Sequence, residues 1–453
     1  MKPNTAAFLQ GSIFKHVVVM TLTGALGLMT LFIVDLADLY FLSLLDNTAI
    51  TAGIGFAGSL AFANLSLAIG AGIASAALVA RNMGAGQPDR AKSFASSGLA
   101  FSLLVAALFA GVIAFFATPI LSGLGATGEA AHQARLFIWT LTPGFVFLGG
   151  TICCSFILRG IGDFRRAMYN TLTAAIITLV LDPIFIFKFG WGIQGTAAAN
   201  AVAYFLSFAQ GMNSLIRVHQ FLAWPTMSQF RTNLRPIWGI AMPSIIAQLA
   251  TPFAAAYMNY VMSPYGDAIV AAGTVVNRVV PVAFGVIFSL SGAVGPIIGQ
   301  NFGAKNYPRV MRALRDGMTF AVIYSCATSL ILFLLRNQII AAFHITDRAA
   351  ELVGFFCTWI AVSWALMGAL FVASAAFNNL GKPLYSTWTN WGRATLGTIP
   401  FAMVGAKVAG PEGIMVGTAV GGAIFGLGSM VLAYRLVKGL SGHAAKSVTS
   451  ADE

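Results

Sequence analysis

Apolar runs of about twenty residues recur along the whole chain, separated by short polar breaks. A helix needs roughly 20 apolar residues to cross a bilayer. Inside a bilayer only helices and closed β-barrels satisfy every backbone polar group. Barrel strands would be short and alternating, with polar inward faces. Unbroken runs such as 98–117 and 318–335 predict helices instead. Only 9% of the 453 residues are charged and 58% are hydrophobic, whereas a soluble domain carries about a quarter charged residues. The pattern excludes a soluble enzyme. It predicts an all-α integral membrane protein of twelve spans, near 17–45, 50–80, 93–118, 136–158, 168–187, 193–216, 236–262, 268–300, 317–335, 352–377, 385–406 and 413–434.

The first run follows Lys2 and Lys15 with no small-residue cleavage site behind a short core, so it is expected to be retained as a span. Cys153, Cys154, Cys326 and Cys357 lie inside apolar runs without metal-ligand spacing and read as small packing residues. The net charge of +12 orients the chain and implies no nucleic-acid partner. Both ends and alternate loops hold nineteen Lys and Arg, among them Arg81, Arg90, Lys92, Arg165, Arg166, Arg231, Arg309 and Arg312. The opposite loops hold five: Arg135, Lys188, Arg336, Arg348 and Lys407. By the positive-inside rule both termini are expected in the cytoplasm, with the protein in the inner (plasma) membrane.

The chain repeats itself. Arg81-Asn82-Met83-Gly84-Ala85-Gly86 after the second span matches Gln300-Asn301-Phe302-Gly303-Ala304-Lys305 after the eighth, at an offset of 219 residues. Ala49-Ile50 falls on Ala268-Ile269 at the same offset, and Gly192 to Ala197 parallels Gly413 to Ala419. The expected organisation is a six-helix lobe over 1–216, a cytoplasmic linker over 217–237, a second six-helix lobe over 238–436 and a cytoplasmic tail over 437–453. Two halves with six spans each enter the membrane in the same direction, which makes them pseudo-symmetric about an axis along the membrane normal. Gly413, Gly417 and Gly421 form a small-residue row suited to close helix approach, with packing as its role.

Charge within a span is costly and marks function or a specific partner. Of fourteen acids, three fall inside spans: Asp35 and Asp38 in the first and Asp182 in the fifth. Asp35 and Asp38 are three apart and share a helix face. Two partly desolvated carboxylates so close would not readily ionise together, which makes a proton-responsive site; the same oxygens could hold Na⁺. Pro183 follows Asp182 and cannot donate a backbone hydrogen bond, so carbonyls beside the carboxylate are expected to be freed. The alternative for Asp182 is a bond within its own lobe that only fixes packing. At the 219 offset Asp38 falls on the uncharged Tyr257, which places coupling in the N-terminal half and leaves Tyr257 as a candidate cavity-lining residue. Arg278 and Arg393 are embedded cations, read either as cavity-lining groups for an anionic ligand or as snorkelling and carbonyl-bonded side chains.

Taken in order, these segments resemble the multidrug and toxic compound extrusion (MATE) transporters, most of all their DinF-like branch. The resemblance covers roughly residues 12–440. It rests on Asp38-Leu39-Tyr40-Phe41, Ala49-Ile50-Thr51-Ala52, Asn82-Met83-Gly84-Ala85, Leu181-Asp182-Pro183-Ile184-Phe185 and Gly299-Gln300-Asn301-Phe302-Gly303-Ala304. It implies two six-helix bundles working by alternating access, a monomer, and expulsion of small molecules, often organic cations, in exchange for H⁺ or Na⁺, with no cofactor. In the family register the first-span aspartate falls on Asp38, and Asp35 is an additional acid; a three-residue shift would reverse them. Asp182 matches the fifth-span aspartate. Relatives often place Asn four residues before that aspartate and Thr eighteen after it; here Thr178 and Asn200 stand in those places, exchanged. Thr251 stands near the seventh-span glutamate of another branch, and the tenth span has no acid, which argues against a second-lobe Na⁺ site. The competing reading is a lipid-linked-precursor flippase of the related superfamily, which would need cations in its cavity. A channel is disfavoured for want of a filter-like loop.

Overall fold

The computed structural model describes residues 6–449 except 46 and 344; the side chains of 35, 39, 43, 48, 51, 267 and 443–449 also fall outside the description. The first half carries α1 (Ile13–Ser43), α2 (Thr48–Gly84), α3 (Pro88–Phe115), the short α4 (Ala117–Gly123), α5 (Gly128–Ile161), α6 (Phe164–Pro183) and α7 (Ile193–Asn213). The second carries α8 (Met227–Met262), α9 (Asp267–Gly303), α10 (Tyr307–Ala342), α11 (Asp347–Phe355), α12 (Trp364–Asn379), α13 (Pro383–Ala394) and α14 (Ile399–Thr449).

Ten helical stretches of the described residues are long and apolar enough to cross a membrane. The last of them, Pro383–Gly442, is two crossings, because Ala409 and Gly410 leave helical geometry between them. Gly410 takes φ of 58°, a left-handed conformation that suits glycine, and Pro411 restarts the helix behind it. With the less apolar α7 the crossings number twelve. Helix boundaries follow local chemistry. Asn47 caps α2 by accepting from the Ala49 and Ile50 N–H groups, Asp163 caps α6 at the Arg166 N–H, and Asn306 caps α10 at the Arg309 N–H.

The chain divides into two compact units. One comprises Leu26–Ile245 with Ala6; the other comprises Ala7–Ala25 and the chain from Ile246 onward. α1 and α8 therefore each begin in one unit and end in the other. In the second unit the Arg309 guanidinium donates to the Phe8, Gln10 and Gly11 carbonyls, and Asn301 donates to Phe8. These bonds fix the segment entering α1. In the first unit Asn233, near the start of α8, donates to the Ser93 and Ser97 hydroxyls of α3 at 2.8 and 3.0 Å. α8 begins at Met227, inside the stretch expected as a linker.

The last two crossings form a tight hairpin. A Cβ at Gly413, Gly417 or Gly421 would run into the carbonyl oxygens of Gly405, Phe401 and Gly397 respectively. Glycines recur every four positions on one side and face Gly405, Phe401 and Gly397 on the other, so the backbones touch along one face. The eleventh crossing is also broken at its middle. α13 stops at Ala394, residues 395–398 turn, and α14 resumes at Ile399. Pro400 cannot donate to the carbonyl four residues back and crowds it, which explains an opening of the turn before it. Of the four cysteines, Cys326 is exposed on α10 while the other three are buried; its neighbours on that face are the apolar Ile323, Leu330 and Leu334, a surface fit for lipid.

Candidate functional site: a buried carboxyl pair in the first unit

α1 and α6 run side by side in parallel register. A Cβ at Gly27 would strike Thr171 Oγ1. Further along, the Asp38 and Asp182 carboxyls interact directly. Beyond them the Phe41 and Phe187 rings meet edge-on with centroids 6.3 Å apart. Close glycine packing below and an aromatic contact above hold the two acids against each other. α7 is drawn onto the same place by Gly195, where a Cβ would lie 2.8 Å from the Phe185 carbonyl carbon and 2.9 Å from the Ile186 nitrogen.

The sequence reading of Pro183 has a structural counterpart. α6 ends at that proline and passes into a π-helical turn, Ile184–Lys188, with the Ile184 N–H bonded back to the Leu181 carbonyl. Such turns leave regular pairing incomplete and are frequent at functional sites.

Asp38 is 7% exposed and Asp182 is fully buried. Asn200 on α7 donates from Nδ2 to Asp38 Oδ2 at 3.0 Å and to the Thr196 carbonyl at 3.1 Å. Among the described residues, Asp38 Oδ1 and both oxygens of Asp182 are buried without a protein donor, and Thr196 Oγ1 is likewise unpartnered. Thr178, buried one turn before Asp182, shares its helix face. Among the described residues no Lys, Arg or His forms an ion pair with either acid. Two carboxyls in contact and out of water cannot both carry charge unless a proton or a cation stands between them. Chemically, the arrangement can take up and release a positive charge.

The structure thus brings together Asp38, Asp182 and Asn200, with Thr178 adjacent. The Asp35 side chain lies outside the described residues. Thr196 escaped sequence reasoning, although its place four residues before Asn200 was a usable signal.

The second unit has a cavity of about 330 Å³, walled by α8, α9, α12, α13 and α14 and by the segment between α11 and α12. Arg393 lines it; Arg278 and Tyr257 are not in its wall. Arg278 is exposed on α9. Tyr257 is half-buried, its ring 6.4 Å from that of Tyr260. Thr251 lies on the cavity wall, and no acid does.

The MatE family model matches residues 25–184 and 243–404, two stretches displaced by close to the internal offset of 219. A protein of Shewanella oneidensis described as an FAD transporter is 27% identical over 427 residues, covering 92% of this chain and 93% of its own. The multidrug export protein MepA of Staphylococcus haemolyticus is 26% identical over 449 residues, covering 95% of each chain. The solved structure of an outward-facing multidrug resistance MATE family transporter superposes with a TM-score of 0.91, covering 98% of this chain and 99% of that one. At 22% identity it shares the fold. The family model spans well over half of the chain and finds its two halves where the internal repeat lies, so this multi-pass membrane protein belongs to the MATE family of secondary transporters.

Proposed function

We propose that the protein is a proton-coupled efflux antiporter whose coupling site is the Asp38–Asp182 pair. The contact between two buried carboxyls that form no ion pair with a cation among the described residues carries this reading. A single shared proton satisfies the pair without importing a coordination shell, which favours H⁺ over Na⁺. Uptake of protons from outside neutralises the pair and lowers its affinity for a cationic cargo. Cargo release and reorientation then follow, because an ion shifts a two-state balance only through different affinity for the two states. Asn200 holds Asp38 in place, and Thr178 and Thr196 complete the polar surroundings. Cargoes are small amphipathic molecules, with organic cations implied by the resemblance to the multidrug exporters. The relative described as an FAD transporter adds an anionic cargo as the second reading. The protein acts as a monomer in the inner membrane with both termini cytoplasmic, as its loop charges imply, and stands nearest the DinF-like branch. The flippase alternative needs several cavity cations; the wall of the second-unit cavity carries Arg393 alone.

The test is dye efflux in everted membrane vesicles under a proton gradient or a sodium gradient imposed separately. Proton-driven efflux that is lost in Asp38→Asn and in Asp182→Asn supports the proposal. Efflux driven only by sodium moves the coupling ion to Na⁺. Undiminished proton-driven efflux in both variants removes the pair from the mechanism. Asp35→Asn, assayed alongside, separates the two first-span acids.

A further inference from the structure

We propose that the cavity of the second unit is a binding site for the oxyanion of an aromatic amphipath, with Arg393 as its anchor. This develops the second, anionic cargo of the transport reading, and rests on that reading only for the step that carries the cargo across.

Arg393 is the one charged residue in the wall of that cavity. Among the described residues it forms no ion pair. Its Nε is buried and has no acceptor. A buried donor left unpaired is costly, more so when charged, and buried charges are ordinarily matched. The two bland explanations for an embedded arginine fit poorly. Snorkelling needs a nearby interface, yet Arg393 stands about 15 Å along α13 from Pro383 at 1.5 Å per residue, roughly half of a 30 Å core. Carbonyl bonding needs acceptors at the end of α13, but those carbonyls already serve other donors. The Arg393 carbonyl accepts from Thr398 Oγ1 at 2.9 Å, Gly392 from the Gly397 N–H at 2.8 Å, and Trp391 from Thr395. An incoming oxyanion would supply both the missing charge and the missing acceptor, and a guanidinium suits carboxylate, phosphate or sulfonate geometry.

The rest of the wall selects an aromatic body. Trp364, Phe288 and Phe371 line the cavity and pack on one another, Phe288 edge-on to Trp364 at 5.5 Å and to Phe371 at 5.6 Å. Asn259 and Asn277 add neutral polar contacts. A mostly apolar pocket of this size with a few convergent polar groups is what small-molecule sites look like. With no acid in the wall, a cationic cargo meets only repulsion from Arg393 here. The two units therefore offer sites of opposite sign.

The test uses purified full-length protein in phosphatidylcholine nanodiscs, titrated with flavin mononucleotide and with riboflavin, which share a ring system and differ by a phosphate. Binding is read by flavin fluorescence and calorimetry. The expected result is at least tenfold tighter binding of flavin mononucleotide in wild type. Arg393→Gln should lower that affinity to the riboflavin level while leaving riboflavin binding intact, which also shows that the variant is folded. Arg393→Lys should keep part of the preference. Asp38→Asn should keep all of it, so failure of the coupling reading and failure of this one are separable. Equal affinities in wild type, no binding of flavin mononucleotide, or a preference that survives in Arg393→Gln would overturn the proposal.

Discussion

Among the described residues, neither carboxylate oxygen of Asp182 is bonded by a donor, and Asp38 has one donor, the Asn200 amide. Replacing either acid by asparagine removes a titratable group and leaves the shape of the site unchanged. The amide can donate to the remaining carboxylate and also relieves the repulsion of two like groups. Asp182→Asn is therefore expected to keep or raise the melting temperature of the purified protein, while proton-driven efflux falls by more than about tenfold, because the proton no longer distinguishes the two transport states. A loss of transport accompanied by unfolding would assign Asp182 to packing. Asp38 and Asp182 were legible in the sequence because a charge inside an apolar run stands out and has few inert explanations. Thr196 and the cavity wall around Arg393 were not: threonine, methionine and phenylalanine in a span read as core, and only folding decides which of them face a void.

At the scale of elements, two features carry consequences. The hairpin closing the second half is set by bare backbone contact, so Gly417→Leu would place a side chain where the Phe401 carbonyl already lies. A carbonyl in a helix cannot step aside as a flexible side chain can. Overpacking of this kind costs typically 1–3 kcal/mol, sometimes more, and the detergent-solubilised variant should melt clearly below wild type; an unchanged melting temperature would mean that the two helices are not pressed together. The row of glycines was readable from its four-residue spacing. The break at 395–398 was not, because a proline near the middle of an apolar run is compatible with a kinked continuous helix as well as with an interrupted one.

The second feature ties the end of α7 to the start of α6. Beyond α7 the backbone makes a π turn, Ser214–Val218, and His219 Nε2 then lies 2.9 Å from Asp163 Oδ2, which also pairs with Arg166 at 2.9 Å. Burial pushes the Asp163 carboxyl up, but the His219 hydrogen bond and the Arg166 backbone and side-chain bonds outweigh it and hold the group at about 2. A carboxyl whose folded value lies below its ordinary 3.8 stabilises the fold above that value and loses the contribution as pH falls toward 2. Asp163→Asn should therefore melt below wild type near neutral pH, with the gap closing between about pH 4 and pH 2. A gap independent of pH would show that the charge of Asp163 is not what matters.

For the whole molecule, the repeat was the most informative thing in the sequence. It predicted two halves with the same direction of entry, and the family model matches the chain in two stretches at nearly that displacement. The division into compact units follows the halves except at α1 and α8, each of which starts in the unit that its own half does not otherwise build. Local sequence cannot show this, since a helix that changes partners midway has the same apolar length as one that does not. The chemistry is unequal where the frame is equal. The first unit buries Asp38 and Asp182 with no ion-paired cation among the described residues, and the second lines a cavity with Arg393 and no acid. Under the two proposals the first unit holds a cation-responsive pair and the second an anion-binding cavity.

The most direct test of the coupling claim is proton release on cargo binding. Purified protein in weakly buffered solution would be mixed with an organic cation such as ethidium, and the pH change followed with an indicator dye. Competition at the Asp38–Asp182 pair predicts release of about one proton per cation bound in wild type, and none in the Asp38→Asn/Asp182→Asn double variant. Binding without proton release in wild type, or equal release from the double variant, would contradict it.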